Sequence, residues 1–336
     1  KEVGVPGVGR VVGKGLNPRE RASLIRKKFR SIKDCVVFEI DGKAFEAHVG
    51  PAALAEEHSV YMAAYPRDKG LRAMLKVQTT LRGRLPCGAR FEREGGRASG
   101  DFNTGMGNTL VMVAAVVSCL DNEPLYDVLA DGDNALLFLP PGAVARVVEA
   151  LPRRALRACG LELTLESPVS VLEHVRFGQS APVWVGDGWT MVRDYRKVVS
   201  GATSSHRWLR EPSFRREYLT GVGLCELSLA RGVPVLQAYC LHLLDTLDYR
   251  GRVRAHPFRD YFCMGATLDV DREPLPISSE VRSSFERAFG LSPEAQVLLE
   301  AGFSCPSPDG FSRIEGFADA FAAPPLVMDS WYEAHV

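Results

Sequence analysis

The four residues Asp131-Gly132-Asp133-Asn134 constrain this chain more than any others. They lie between two apolar runs, Tyr126 to Ala130 and Ala135 to Leu139. Gly, Asn and Asp tolerate the positive φ angles of tight hairpin turns, and apolar flanks of this length suit paired strands, so the segment predicts a β-hairpin. The tip carries a carboxylate, Asp133. A second apolar run, Cys35-Val36-Val37-Phe38-Glu39-Ile40-Asp41, also ends in a carboxylate, and Glu46 follows five residues later. Between these acidic segments lies Ser99-Gly100-Asp101-Phe102-Asn103-Thr104-Gly105-Met106-Gly107-Asn108, which runs into an apolar helical stretch from Thr109 to Leu120. Thr104 and Asn108 are four residues apart and so share one helical face, while Gly100 lets the loop before them take unusual backbone angles.

Singly, each element has an ordinary reading. An Asp-Gly pair is most often just a turn, a strand-end Asp just a cap, and a small-residue helix start just close packing. Their order suggests chemistry. Two carboxylates at the ends of neighbouring strands suit hard divalent cations, which take oxygen ligands from one or two carboxylates, substrate phosphates and water. Two such ions can activate a hydroxyl and stabilise leaving pyrophosphate in an in-line displacement. A hydroxyl, an amide and a flexible loop at one helix start can grip a ribose and its phosphate.

Composition narrows the class. The 336 residues are 46% apolar, enough for a sizeable core and too many for one minimal domain. No apolar run reaches membrane-spanning length, and the N-terminus lacks a signal-peptide pattern. Eight cysteines are scattered without CxxC spacing, which argues for reduced thiols rather than a disulfide framework or zinc site. The formal net charge is zero, yet Arg10 to Lys33 holds nine basic residues against the single acid Glu20. A second basic region includes Arg193, Arg196, Lys197, Arg207, Arg210, Arg215 and Arg216. As groups, such patches suit a nucleic-acid channel; as individual side chains, most suit a solvated helix face.

Asn17-Pro18-Arg19-Glu20 predicts a capped helix start, with the helix running to about Arg30. Helices are expected at Pro51 to Tyr65 and Lys69 to Arg82, with a Gly-rich excursion from Arg84 to Arg97. Gly142 to Cys159 has helical periodicity with a break or kink at Pro152. Leu161 to Leu165 alternates as a strand, and Val183 to Val192 predicts a hairpin turning at Gly186-Asp187-Gly188. Helical patterns dominate from Ser204 onward. The order predicts an α+β fold, an antiparallel sheet with flanking helices.

As an ordered set, these motifs resemble the RNA-dependent RNA polymerases of positive-strand RNA viruses, specifically the tombusvirus-like group. Asp41 to Val49 is similar to that family's first palm motif, and Ser99 to Asn108 to its second, Ser-Gly-Asp-x-Asn-Thr-x-x-Gly-Asn. Gly132-Asp133-Asn134 stands where the family has Gly-Asp-Asp. Phe177-Gly178-Gln179, Pro182-Val183-Trp184 and Met191-Val192-Arg193 resemble the fifth motif and its hairpin. Lys14-Gly15-Leu16-Asn17 with Arg21, and Gly232 to Gln237, also look like family segments.

The resemblance implies a right-hand polymerase with an antiparallel palm, partial fingers and a mostly helical thumb. Residues 1–34 would be a basic linking helix, 35–50 and 97–200 palm, 51–96 a fingers-side insertion, and 201–336 thumb and extension. It implies Asp41 and Asp133 as metal ligands for Mg²⁺ (Mn²⁺ as the alternative), with Asn134 as auxiliary. Glu46, Ser99, Gly100, Thr104 and Asn108 would select the nucleotide and ribose, and Phe177, Gly178 and Gln179 would support the primer. Arg19, Arg21, Lys27, Lys28, Arg193 and Lys197 are candidate RNA contacts. The implied partners are an RNA template and product, ribonucleoside triphosphates, and a missing N-terminal fingers region or another replication protein. The implied location is host cytoplasm at membrane-associated replication sites.

Two positions depart from the family pattern. Glu46 replaces an Asp, and Asn134 replaces the second Asp of Gly-Asp-Asp, removing a charge that would help bind a hard cation. The competing expectation is therefore a catalytically weakened RNA-binding subunit that needs a partner chain.

Overall fold

The computed structural model describes residues 7–120, 123–205 and 207–303. Its first helix, α1 (Pro18–Ser31), starts as its sequence dictates. Asn17 Oδ1 accepts from the Glu20 backbone N–H and Glu20 Oε2 accepts from the Asn17 N–H, both at 2.9 Å, closing a reciprocal capping box. The chain then divides into two compact units, residues 7–14 with 25–170 and residues 15–24 with 171–303. It is a mixed α/β protein with antiparallel sheets.

The first unit contains β1 (Val36–Gly42), α2 (Phe45–His48), α3 (Pro51–Ala64), α4 (Lys69–Gln78), β2 (Thr80–Arg84), β3 (Arg90–Glu94), α5 (Thr104–Cys119), β4 (Asp127–Asp131), β5 (Asn134–Leu139), α6 (Pro141–Cys159) and β6 (Leu163–Leu165). Its main sheet has the strand order β4-β5-β1-β6 and is antiparallel throughout. Phe38 and Ile40 of β1, Val128 and Ala130 of β4, and Ala135, Leu137 and Leu139 of β5 form one core with α5 (Met112, Ala115, Val116) and α6 (Ala143, Val147, Leu151, Ala155). The alternate strand residues Val37, Leu129, Leu136 and Phe138 are buried as well. Burial on both faces explains why these strands read as unbroken apolar runs.

The free edge of β4 is covered by the N-terminal segment. Ala130 N–H donates to Val11 O and Gly13 N–H to Ala130 O, both at 2.8 Å, giving a short parallel pairing. A buried ion pair pins this segment: Lys28 Nζ lies 2.6 Å from Asp127 Oδ1 and 2.8 Å from Val8 O. Asp127 also accepts from the Val8 and Val128 N–H groups. Burial lowers the Lys28 pKa, opposed by the Asp127 carboxylate.

Two expectations about this unit are corrected. The helix expected to reach Arg82 stops at Gln78, and the supposed Gly-rich excursion is the β2–β3 hairpin. Thr79 caps the helix, β-branched Thr80 opens β2, and Gly88 at φ 91° closes the loop, where its N–H donates to Leu85 O. Helix α6 is continuous through Pro152, so of the expected break or kink the break does not occur. Val147, Leu151 and Ala155 are buried on one stripe, and that packing outweighs the single hydrogen bond Pro152 removes.

The second unit holds β7 (Ser180–Trp184), β8 (Trp189–Arg193), α7 (Tyr195–Gly201), α8 (Pro212–Ala230), α9 (Leu236–Leu247), α10 (Arg259–Cys263), α11 (Ser279–Phe289) and α12 (Pro293–Phe303). The β7–β8 hairpin turns around Gly186–Gly188 as expected, and α7, α9, α11 and α12 enclose a core that includes Tyr195, Leu236, Phe285 and Phe289. The expected C-terminal extension beyond residue 303 lies outside the described residues. No described helix is long and apolar enough to cross a membrane.

Replacing Lys28 with Ala strands the buried Asp127 carboxylate and should cost about 3–5 kcal/mol. Chemical denaturation should show this as a lower midpoint, and a change below 1 kcal/mol would mean the pair does not pin the segment.

Candidate active site

The acidic residues converge through strand pairing. Asp41 lies directly opposite Asn134 in the β1–β5 ladder, and Asp131 pairs with Asn134 across β4–β5. Gly132 and Asp133 form the two-residue turn, with Gly132 at φ 73°, so the first turn position needs a residue tolerant of positive φ. The turn is also held from outside the sheet. Thr109, on α5, accepts from the Gly132 N–H at 2.8 Å through its hydroxyl, which donates to Gly105 O at 2.7 Å. Thr109 was not singled out by the sequence reading; its place directly after Asn108 was the available signal.

Asp41 and Asp133 are half-buried. Burial raises the Asp41 pKa, and the nearby Asp133 and Glu166 charges raise it further. Burial likewise raises Asp133, with Glu46 and Asp131 adding to the effect and Lys14 opposing it. Lys14 Nζ lies 2.6 Å from Asp131 Oδ1. The two carboxylates therefore sit where their ionised forms are disfavoured unless positive charge is supplied.

This donor set fits hard divalent cations. Among the described residues no three His, Cys, Asp or Glu side chains gather into a complete metal cage. Two carboxylates with open positions match a cation that takes its remaining ligands from substrate phosphates and water.

The loop and helix start lie beside the acids. Ser99 and Gly100 are exposed, Gly100 at φ 101°, and Thr104 donates to Ala98 O at 3.1 Å. Helix α5 begins at Thr104, so Asn108 lies on its second turn. Asn108 is buried and its Nδ2 is 3.4 Å from Glu46 Oε1, so these two expected partners do meet. Glu46 reaches this point because it stands on the short helix α2, directly after β1.

A buried polar network beneath this loop escaped the sequence reading. Arg97, whose side chain is 1% exposed, donates from Nε to Asn108 Oδ1 at 3.0 Å and pairs through Nη2 with Glu57 of α3. Glu57 also accepts from Tyr61 at 2.7 Å and Asn103 at 2.8 Å, and Gln78 Nε2 donates to Asn103 Oδ1 at 2.7 Å. Gly107 faces this network, and a Cβ there would overlap Glu57 Oε1 and Arg97 Nη2. Its small size is a packing requirement.

The remaining sequence-derived residues belong mostly to the second unit. Gly178 at φ 57° and Gln179 at φ 60° form a two-residue turn closed by paired hydrogen bonds between Phe177 and Ser180. Phe177 is buried, with the Arg21 guanidinium 5.3 Å from its ring centre. Lys197 donates to Gln179 Oε1 at 3.3 Å, Arg19 pairs with Asp187 at 3.0 Å, and Arg193 pairs with Glu226. In the first unit Lys27 is exposed, but Lys28 is fully buried against Asp127, so it cannot contact RNA. Charge counting could not separate these neighbours, because burial is set by which helix face meets the sheet.

Comparison with known proteins identifies the family. The family model for viral RNA dependent RNA polymerase matches residues 5–307, and the chain belongs to that family. An RNA-directed RNA polymerase of Carnation mottle virus is 34% identical over 306 residues, covering 87% of this chain and 38% of that protein. Enzymes of the same name from Turnip crinkle virus and Red clover necrotic mosaic virus are 32% and 31% identical, covering 87% and 86% of this chain. The chain spans 38% and 39% of those two relatives, about two fifths of their length.

Gly107→Ala should destabilise the unit by about 1–3 kcal/mol through overpacking against the Arg97–Glu57 pair. Urea unfolding of that variant beside Gly105→Ala separates the packing effect from general helix propensity, because Gly105 faces only the flexible end of Lys14. Equal midpoints for both would show that the close approach at Gly107 does not matter.

Proposed function

We propose that this chain carries the nucleotidyl-transfer centre of an RNA-dependent RNA polymerase that replicates a viral RNA genome from ribonucleoside triphosphates. The observation that carries the reading is the strand register that sets half-buried Asp41 opposite Asn134, next to half-buried Asp133 in the β4–β5 turn. In this reading residues 35–50 and 97–200 form the palm. Asp41 and Asp133 hold Mg²⁺ ions, and Asn134 offers an uncharged amide oxygen beside them. The bound cations would lower the barrier to 3′-hydroxyl attack and neutralise charge on leaving pyrophosphate.

The protein's own side chains do the rest. The Thr109 hydroxyl holds the Gly132 amide and so keeps the Asp133 tip in place. Lys14 neutralises Asp131, which limits negative charge at the tip to what the cations must balance. Glu46 and Asn108 present an acceptor and a donor side by side, the pair of functions needed to read a ribose 2′-hydroxyl. Ser99 and Gly100, exposed on the loop before α5, position the template and nucleotide. The Gly178–Gln179 turn supports the primer strand.

The test is primer extension by the full-length protein on a primed RNA template with the four ribonucleotides. Asp133→Asn should abolish template-dependent extension while leaving RNA binding intact. Extension that is equal in both proteins, or RNA binding without extension even in Mn²⁺, would instead favour the weakened RNA-binding subunit. A second measurement addresses Asn134. Asn134→Asp restores a charge next to Asp41, so the Mg²⁺ concentration for half-maximal extension should fall and the advantage of Mn²⁺ should shrink. An unchanged metal titration would remove Asn134 from the metal site.

A further inference from the structure

We propose that Arg97 is the positioning residue for sugar selection, acting through the side-chain amide of Asn108. The proposal rests on the reading of Asn108 and Glu46 as the ribose sensor. It adds a residue that touches neither sugar nor metal ions.

An arginine guanidinium carries only N–H donors and keeps its charge. The Asn108 atom facing Arg97 Nε at 3.0 Å must therefore be the carbonyl oxygen. That settles which way the amide points, a choice otherwise open for any asparagine. With its oxygen held by Arg97, Asn108 turns its NH₂ group toward Glu46. The amide is thereby a donor on the sugar side. In the flipped orientation it would set a carbonyl oxygen against the Glu46 carboxylate, two acceptors face to face.

Arg97 is itself fixed. Its side chain is 1% exposed, and Nη2 pairs with Glu57, whose side chain is fully buried. Glu57 is held in turn by Tyr61 and Asn103, and Asn103 by Gln78, so α3, α4 and the start of α5 contribute to one network. Gly107 leaves the room this network needs. A lysine at position 97 could neutralise Glu57 as a point charge, but it lacks the fork that reaches both Glu57 and Asn108.

The experiment measures incorporation of a ribonucleotide against the matching deoxynucleotide by the full-length polymerase, as the ratio of kcat/KM values. Asn108→Ala sets the scale and tests the underlying reading, and its ratio should fall about tenfold or more. Arg97→Lys should lower the ratio by roughly three- to tenfold, mainly through KM for the ribonucleotide, and have no further effect on the ratio in the Asn108→Ala background. If Asn108→Ala leaves the ratio unchanged, the ribose reading fails and this proposal fails with it. If Asn108→Ala lowers it while folded Arg97→Lys does not, only the role of Arg97 is overturned.

Should Arg97→Lys fail to fold, Glu57→Asp decides, because it keeps the charge balance and draws back the partner that fixes Arg97 without touching Asn108 or Glu46. A lower ratio, with no further loss when combined with Asn108→Ala, supports the proposal, and an unchanged ratio overturns it.

Discussion

The antiparallel register between β1 and β5 runs from Val36 opposite Leu139 to Asp41 opposite Asn134, and the candidate site depends on it. A slip of one residue would turn every side chain of one strand to the opposite face. It would also separate Asp41 from the β4–β5 turn. The register is held by burial on both faces, since Phe38 and Ile40 pack with α5 and α6 while Val37 is enclosed on the other side. The apolar core thus sets the positions of the charged groups. The cost of bringing Asp41 and Asp133 together in a half-buried setting is met by that packing.

The tip of the sheet is also held laterally. Thr109 joins α5 to the Gly132 turn, and Lys14, next to the segment that pairs with β4, neutralises Asp131. Asn108 lies one residue before Thr109, so the residue facing Glu46 and the residue holding the turn share one turn of helix. Movement of α5 would therefore affect the β4–β5 turn and the Asn108 amide together. The buried Arg97–Glu57 pair opposes such movement by linking α3 to this part of α5. A buried charged pair is costly to assemble, and its value here is geometric specificity.

Much of this was legible along the chain. The β4–β5 hairpin, the β7–β8 hairpin, the Asn17–Glu20 capping box and the ordered acidic and Ser-Gly motifs all rest on local rules of turn chemistry, capping and spacing. The β2–β3 hairpin was missed because its alternation of polar and apolar residues, largely exposed, is weaker than the helical pattern of α4 running into it. Lys28 was misjudged because a lysine in a basic run is usually solvated, and only its partner Asp127, 99 residues away, shows otherwise. Arg97 and Glu57 were overlooked for a related reason. They are 40 residues apart, and neither carries a motif of its own.

The sequence by itself determined the family, through its ordered motifs, and local elements such as the β4–β5 and β7–β8 hairpins and the Asn17–Glu20 cap, because these follow from local spacing and residue chemistry. Only the tertiary structure decided which charges are available and which are used internally. Lys28, Arg97 and Lys14 are all basic residues on paper, yet one pins an edge segment, one orients an amide and one neutralises a turn. That division depends on long-range burial and hydrogen-bond partners, which composition and periodicity do not carry.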